Sequence, residues 1–208
     1  MSKIFILGVG PGNPALVSPL VKETALSCHL LLGGRRNLKI FPDFKGEKKV
    51  IEGKLEPLME LIRENLPHKR IGILVSGDPG LYSLLPVVKG YFPPELLEVV
   101  PGISALQYLF ARLKLPWHDA SILSLHGKDL RGLSEIVRSH AKVGIFTDPL
   151  RTPAAVCRQL LEEGLEKRRV YVGENLSYPE ERIYALTLQE CLNLETAELN
   201  VMVILKEE

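Results

Sequence analysis

Three short apolar runs, each stopped by a glycine or proline turn, constrain this chain more than any other feature. Lys3 to Val9 is almost continuously apolar and passes into Gly8-Val9-Gly10-Pro11-Gly12. Ile71 to Val75 ends at Ser76-Gly77-Asp78-Pro79-Gly80, and Leu96 to Val100 ends at Pro101-Gly102. Runs of this kind suit strands buried on both faces, the condition of a parallel sheet. Helical spacing lies between them: Leu55, Leu58, Met59, Ile62 and Leu66 fall on one helix face, which Pro67 closes. Further helices are expected after Gly80 and after Gly102, so the first half is a β-α-β series.

The second half has a different texture. Ser121–Leu125, Val143–Phe146, Val170–Val172, Arg182–Leu186 and Asn200–Leu205 read as strands with few helices between them, which suggests a mixed or antiparallel-edged sheet. Thr152-Pro153 supplies an N-cap and a first-turn proline for a helix that stops at Gly164. The fold class is therefore α/β, with a parallel-sheet N-terminal lobe over 1–115 and a mixed-sheet C-terminal lobe over 116–208. The boundary is placed at Leu115-Pro116, where proline blocks a helix.

The first glycine loop is open to several readings until its prolines are considered. Glycines after a strand let the backbone turn sharply and let a ligand approach peptide groups that a Cβ would cover. A dinucleotide fingerprint needs glycine or alanine at its sixth position and a helix starting within the loop. Here that position is Asn13, followed by Pro14, and Ser18-Pro19 makes a second start signal. A helix begun at Pro14 would carry Pro19 in its interior at a cost of ~3 kcal/mol, so the helix is expected to begin at Pro19. No helix N-terminus is then aimed at a pyrophosphate.

Composition excludes some partners. With 26 Lys and Arg against 25 Asp and Glu, the net charge is +1, which favours neither nucleic acid nor an anionic membrane. No stretch approaches the ~20 apolar residues of a membrane span, and the apolar run at the N-terminus is too short for a signal peptide. A cytoplasmic protein is expected. Cys28, Cys157 and Cys191 are far apart, without metal-ligand spacing, and read as buried free thiols. His29, His68, His118 and His140 have no metal-ligand spacing either, and no metal site is expected.

The loops together resemble one family. Gly8-Val9-Gly10-Pro11-Gly12-Asn13-Pro14 is similar to the proline-rich first loop of the tetrapyrrole methylases. Ser76-Gly77-Asp78-Pro79-Gly80-Leu81-Tyr82-Ser83 resembles their second signature, and Val100-Pro101-Gly102-Ile103-Ser104-Ala105 their third. Thr147-Asp148 and Gly173-Glu174-Asn175-Leu176 follow in the family's order. The resemblance implies the two-lobed tetrapyrrole methylase fold, with S-adenosyl-L-methionine as cofactor in the cleft between the lobes, and usually a homodimer. It implies cofactor contacts at Gly10, Pro11, Gly77, Asp78, Leu81, Ser104, Ala105 and Thr147. Gly33-Gly34-Arg35-Arg36, Leu115-Pro116-Trp117 and Ser124-Leu125-His126-Gly127 narrow the implied activity to methylation of C-5 of cobalt-precorrin-7 or its metal-free counterpart. Methylation at C-15 and decarboxylation would then belong to a separate partner protein.

The residues add chemistry to that resemblance. Asp78 ends a buried strand, where its carboxylate suits ribose hydroxyls or an ammonium; the alternative is N-capping of a helix begun at Pro79. His126, at a strand end before Gly127, is the candidate catalytic group, with a structural role as the alternative. Arg35 and Arg36, in an expected loop, and Lys128 are candidates for the substrate's carboxylate arms. Lys167-Arg168-Arg169 reads as an exposed turn. Rival functions are an ordinary Rossmann-like methyltransferase, a methylase of the same family acting on another ring position or on a protein as diphthine synthase does, and a non-catalytic metabolite-binding module. The Rossmann reading needs an acidic residue at the end of the second strand, where Leu30-Leu31-Leu32-Gly33-Gly34 has none.

Overall fold

The computed structural model describes residues 3–53, 55–127 and 130–207. The chain forms two units, Met1–Ser104 and Ala105–Glu208. In the first, the strands are β1 (Ile4–Gly8), β2 (Leu30–Gly33), β3 (Glu47–Val50), β4 (Ile71–Val75) and β5 (Leu97–Val100), interleaved with α1 (Pro19–Leu26), α2 (Arg35–Lys39), α3 (Leu55–Asn65) and α4 (Leu85–Tyr91). All strand pairs are parallel, in the order β3-β2-β4-β1-β5. Every residue of β1, β2 and β4 is buried, as continuous apolar runs require. One face of the sheet packs against α1, with Val21 and Ala25 beside Leu7 and Leu31; the other packs against α3, with Leu58, Met59 and Ile62 beside Ile6 and Ile73.

Helix α1 begins at Pro19, as the prolines demand. The Ser18 hydroxyl accepts from the Val21 N–H at 3.2 Å, while Asn13 and Pro14 form only a single 3₁₀ turn. Helix α4 contains Gly90, exposed and with nothing within 4 Å of an added Cβ. Gly90→Ala is therefore expected to raise stability by ~0.5–1 kcal/mol, because glycine in a helix loses the most conformational freedom on folding; urea unfolding against wild type checks it.

The second unit contains α5 (Ala105–Leu113), β6 (Ser121–Ser124), α6 (Leu133–Ser139), β7 (Lys142–Phe146), α7 (Pro153–Glu162), β8 (Arg168–Glu174), β9 (Arg182–Thr187), α8 (Leu188–Cys191) and β10 (Asn200–Lys206). Its sheet has the order β6-β7-β10-β8-β9, parallel between β6 and β7 and antiparallel elsewhere. Helices α6, α7 and α8 bury Val137, Val156, Leu160 and Leu188 against one face. On the other face α5 buries Leu106, Leu109 and Phe110 with Leu176, Val201 and Val203.

Helix α5 thus belongs with the second unit, whereas a division at Leu115-Pro116 would assign it to the first. Arg168 also differs from expectation. It opens β8 and is buried, and its guanidinium donates to the Val137 carbonyl at 2.8 Å. All three cysteines are free and buried. No helix among the described residues is long and apolar enough to cross a membrane.

Candidate functional site

In the first unit the neighbouring strands β4, β1 and β5 end side by side, and their three loops meet beyond the carboxyl ends, where open α/β sheets bind ligands. Gly10 and Gly77, at φ +78° and +68°, form an antiparallel bridge in which the Gly77 N–H donates to Gly10 O at 2.8 Å. Those backbone angles favour glycine. Gly8 and Gly102 are needed for a different reason: a Cβ on Gly102 would lie 2.3 Å from Gly77 O and 2.5 Å from Gly8 O.

Asp78 joins two of these loops. Its Oδ1 accepts from the Gly80 N–H at 2.8 Å and its Oδ2 from the Gly102 N–H at 3.1 Å. No helix begins at Pro79, since α4 starts at Leu85, so the carboxylate is a tie between loops rather than a helix cap. An ionised carboxylate keeps acceptor capacity beyond two N–H donors. Gly10, Pro11, Gly77, Asp78, Leu81 and Ser104 all lie in these three loops; Gly10 and Ser104 are buried, and Pro11, Gly77, Asp78 and Leu81 are half-buried. Ala105, next in the chain, is the first residue of α5.

In the second unit, Leu125 prolongs the β6–β7 pairing by donating to Phe146 O at 2.9 Å. The exposed His126 and Gly127, at φ +66°, follow. Asp148 holds this turn. Its Oδ1 accepts from the N–H groups of Leu150 (2.8 Å) and Arg151 (2.7 Å), and its Oδ2 from the Gly127 N–H (3.3 Å) and Arg151 Nη1 (3.3 Å). Burial works against the charge, but the three backbone donors and the Arg151 guanidinium outweigh it and hold the Asp148 carboxyl below the usual carboxylate range.

Thr147 is buried, and its hydroxyl lies 2.7 Å from the Asn200 carbonyl and 2.6 Å from Asn200 Oδ1. Its proton is thus committed to Asn200. Glu174 anchors the same neighbourhood, accepting from the Ala197 N–H at 2.8 Å and from the Tyr184 hydroxyl at 3.2 Å. Asn175 and Ser177, at φ +45° and +70°, turn the chain after it.

The arginines expected in a loop are elsewhere. Arg35 and Arg36 open α2, where Gly34 is the N-cap and buried Leu38 draws the segment onto the sheet. Arg35 Nη2 lies 2.5 Å from Glu52 Oε1, with both side chains exposed. Such a pair is worth little and exchanges readily. Lys128 lies outside the described residues. Sequence reasoning did not single out Asn200 or the tie made by Asp148, although Thr147-Asp148 was visible as a motif.

A parallel α/β unit with a glycine-lined loop junction, followed by a mixed-sheet α/β unit, defines the class as a two-unit α/β protein. In fold the chain matches uroporphyrin-III C-methyl transferase from Thermus thermophilus complexed with S-adenyl homocysteine, at a TM-score of 0.81 and 21% identity, covering 98% of this chain and 97% of that one. It is 33% identical over 204 residues to the cobalt-precorrin-7 C(5)-methyltransferase of Salmonella typhimurium, covering 98% of this chain and 99% of the relative. It is 32% identical over 207 residues to a probable cobalt-precorrin-7 C(5)-methyltransferase of Methanocaldococcus jannaschii, covering 96% of each. The model of the Tetrapyrrole (Corrin/Porphyrin) Methylases matches residues 3–192, and the chain belongs to that family.

Proposed function

We propose that the chain transfers a methyl group from S-adenosyl-L-methionine to C-5 of cobalt-precorrin-7. The observation that carries this reading is likeness to an enzyme of that name at 33% identity, covering 98% of this chain and 99% of the relative.

The first unit's loops fit such a cofactor. The Gly10–Gly77 bridge leaves backbone uncovered by side chains, and Asp78 retains acceptor capacity toward hydroxyl or ammonium donors. Ala105 and Thr147 are also cofactor contacts in this reading, Thr147 through its backbone because its hydroxyl is held by Asn200. The cofactor supplies an already activated methyl, so the protein's task is to position donor and acceptor in line and to exclude water. The new carbon–carbon bond forms as the sulfur–methyl bond breaks, and sulfur keeps the electron pair. In this reading His126, held by the Asp148-bound turn, is the polar contact at the ring, and Arg36 and Arg35 meet carboxylate arms, Arg35 by exchanging Glu52 for substrate. The reading includes a homodimer in the cytoplasm and a separate protein for the C-15 steps.

The test is incubation with methyl-labelled S-adenosyl-L-methionine and a panel of cobalt-containing and metal-free corrin intermediates. NMR is expected to place the label at C-5 of cobalt-precorrin-7. Label at another ring carbon removes the assigned position, and no transfer to any member removes the activity.

A further inference from the structure

Within the second unit an open groove of about 560 Å³ runs beside α7. Its lining extends from Leu150 and Arg151, just before the helix, to Glu163 at its end, a span of roughly 16 Å at the helical rise. The two ends differ chemically. At the far end Glu163 accepts from the Gln159 side chain. At the near end stand Arg151 and Leu150, the latter 78% exposed, and the lining also holds Arg131 and Leu130.

Arg151 is built into this wall. Its side chain is 24% exposed, its backbone N–H is held by Asp148 Oδ1, and its Nη1 meets Asp148 Oδ2. The Asp148 side chain is itself only 8% exposed. Only one guanidinium nitrogen is engaged among the described residues, so most of the planar fork remains available as donors. A fork fixed before its ligand arrives loses less freedom on binding, and its geometry matches a carboxylate. An exposed leucine beside it gives no advantage to a small hydrated anion. It suits an anion carried on an apolar body.

We infer that this groove is a subsite for peripheral carboxylate arms of the tetrapyrrole, with Arg151 and Arg131 as receptors and Asp148 as the residue that positions Arg151. The inference rests on the tetrapyrrole reading above and adds residues to it. The apolar edge of the macrocycle packs on Leu150 and Leu130 while an acetate or propionate arm meets the guanidinium fork. Asp148 also holds the Gly127 N–H, so one carboxylate sets both the receptor and the turn that carries His126.

Uroporphyrin, a polycarboxylate porphyrin that is not turned over, serves as the probe, followed by fluorescence titration. Arg151→Gln is expected to weaken its binding on the order of tenfold, the effect of losing one charge-assisted pair. Arg131→Gln is expected to weaken it less, and Asp148→Asn to weaken it in the same direction. Affinity for S-adenosyl-L-methionine, measured by calorimetry on each variant, is expected to stay at the wild-type value, and added salt is expected to narrow the gap between wild type and Arg151→Gln. Wild-type porphyrin affinity in Arg151→Gln overturns the subsite. So does an equal loss of cofactor affinity, which marks a structural role, or displacement of the porphyrin by inorganic phosphate at the same concentration. Arg151-dependent porphyrin binding without methyl transfer to C-5 removes the assigned ring position and leaves the subsite standing.

Discussion

Gly102→Ala is expected to destabilise the protein by about 3 kcal/mol, the upper end of what overpacking costs. A Cβ at this position would lie 2.3 Å from Gly77 O, 2.5 Å from Gly8 O and 2.6 Å from Gly8 C. All three are backbone atoms, so no side chain can rotate aside. Two of them belong to the end of β1, whose residues are completely buried and paired on both sides with β4 and β5. The strain therefore has to be taken up either by moving a central strand or by separating the third loop from the second. Separation also breaks the Gly102 N–H bond to Asp78. Urea unfolding measures the effect, with Gly90→Ala as the contrasting glycine where an added methyl meets nothing. An unfolding midpoint for Gly102→Ala equal to wild type would show that the three loops are not packed as described.

The parts of the fold that could be read in advance are those whose signal is local. The apolar runs of β1 and β4 and the Ser18-Pro19 start of α1 needed no distant partner to be recognised. Strand β3 is the opposite case. Glu47-Lys48-Lys49-Val50 is wholly exposed and carries three charges, and it is a strand because β2 pairs with it at the sheet edge, where Lys49 and Lys69 meet Glu47. Charged side chains suit such an edge because they discourage pairing with another chain.

Arg168 misled for a related reason. Three consecutive cations look like a solvated turn, but strand geometry alternates faces, and the second of them, the first residue of β8, points inward to the Val137 carbonyl. Pro116 correctly marks that a helix has ended, yet says nothing about which unit holds the helix; that is decided by Val201 and Val203, nearly the whole second unit away in sequence. The site followed the same division. Its glycines could be read because their backbone demands are intrinsic, whereas Asp78 and Asp148 accept from backbone N–H groups in other loops and Asn200 accepts from the distant Thr147 hydroxyl, ties that carry no sequence signature.

Asp78→Ala is expected to lower affinity for S-adenosyl-L-methionine at least tenfold and stability by about 1–2 kcal/mol, since hydrogen bonds to a charged group contribute more than neutral ones. The two effects have different origins. Stability falls because the Gly80 and Gly102 N–H groups lose their shared acceptor in a half-buried place. Affinity falls further because the carboxylate's remaining acceptor capacity is, in the proposed function, what meets the cofactor's donors. Asp78→Asn separates the two. Its amide oxygen still accepts one of the N–H groups, but the amide nitrogen confronts the other donor and no negative charge remains. Asparagine is therefore expected to recover part of the stability and little of the affinity. Calorimetric titration with S-adenosyl-L-methionine and with S-adenosylhomocysteine, beside urea unfolding of the same preparations, reads both quantities. A cofactor affinity that follows stability step for step through alanine and asparagine would reduce Asp78 to a tie between loops. Wild-type affinity in the alanine variant would remove it from the binding site altogether.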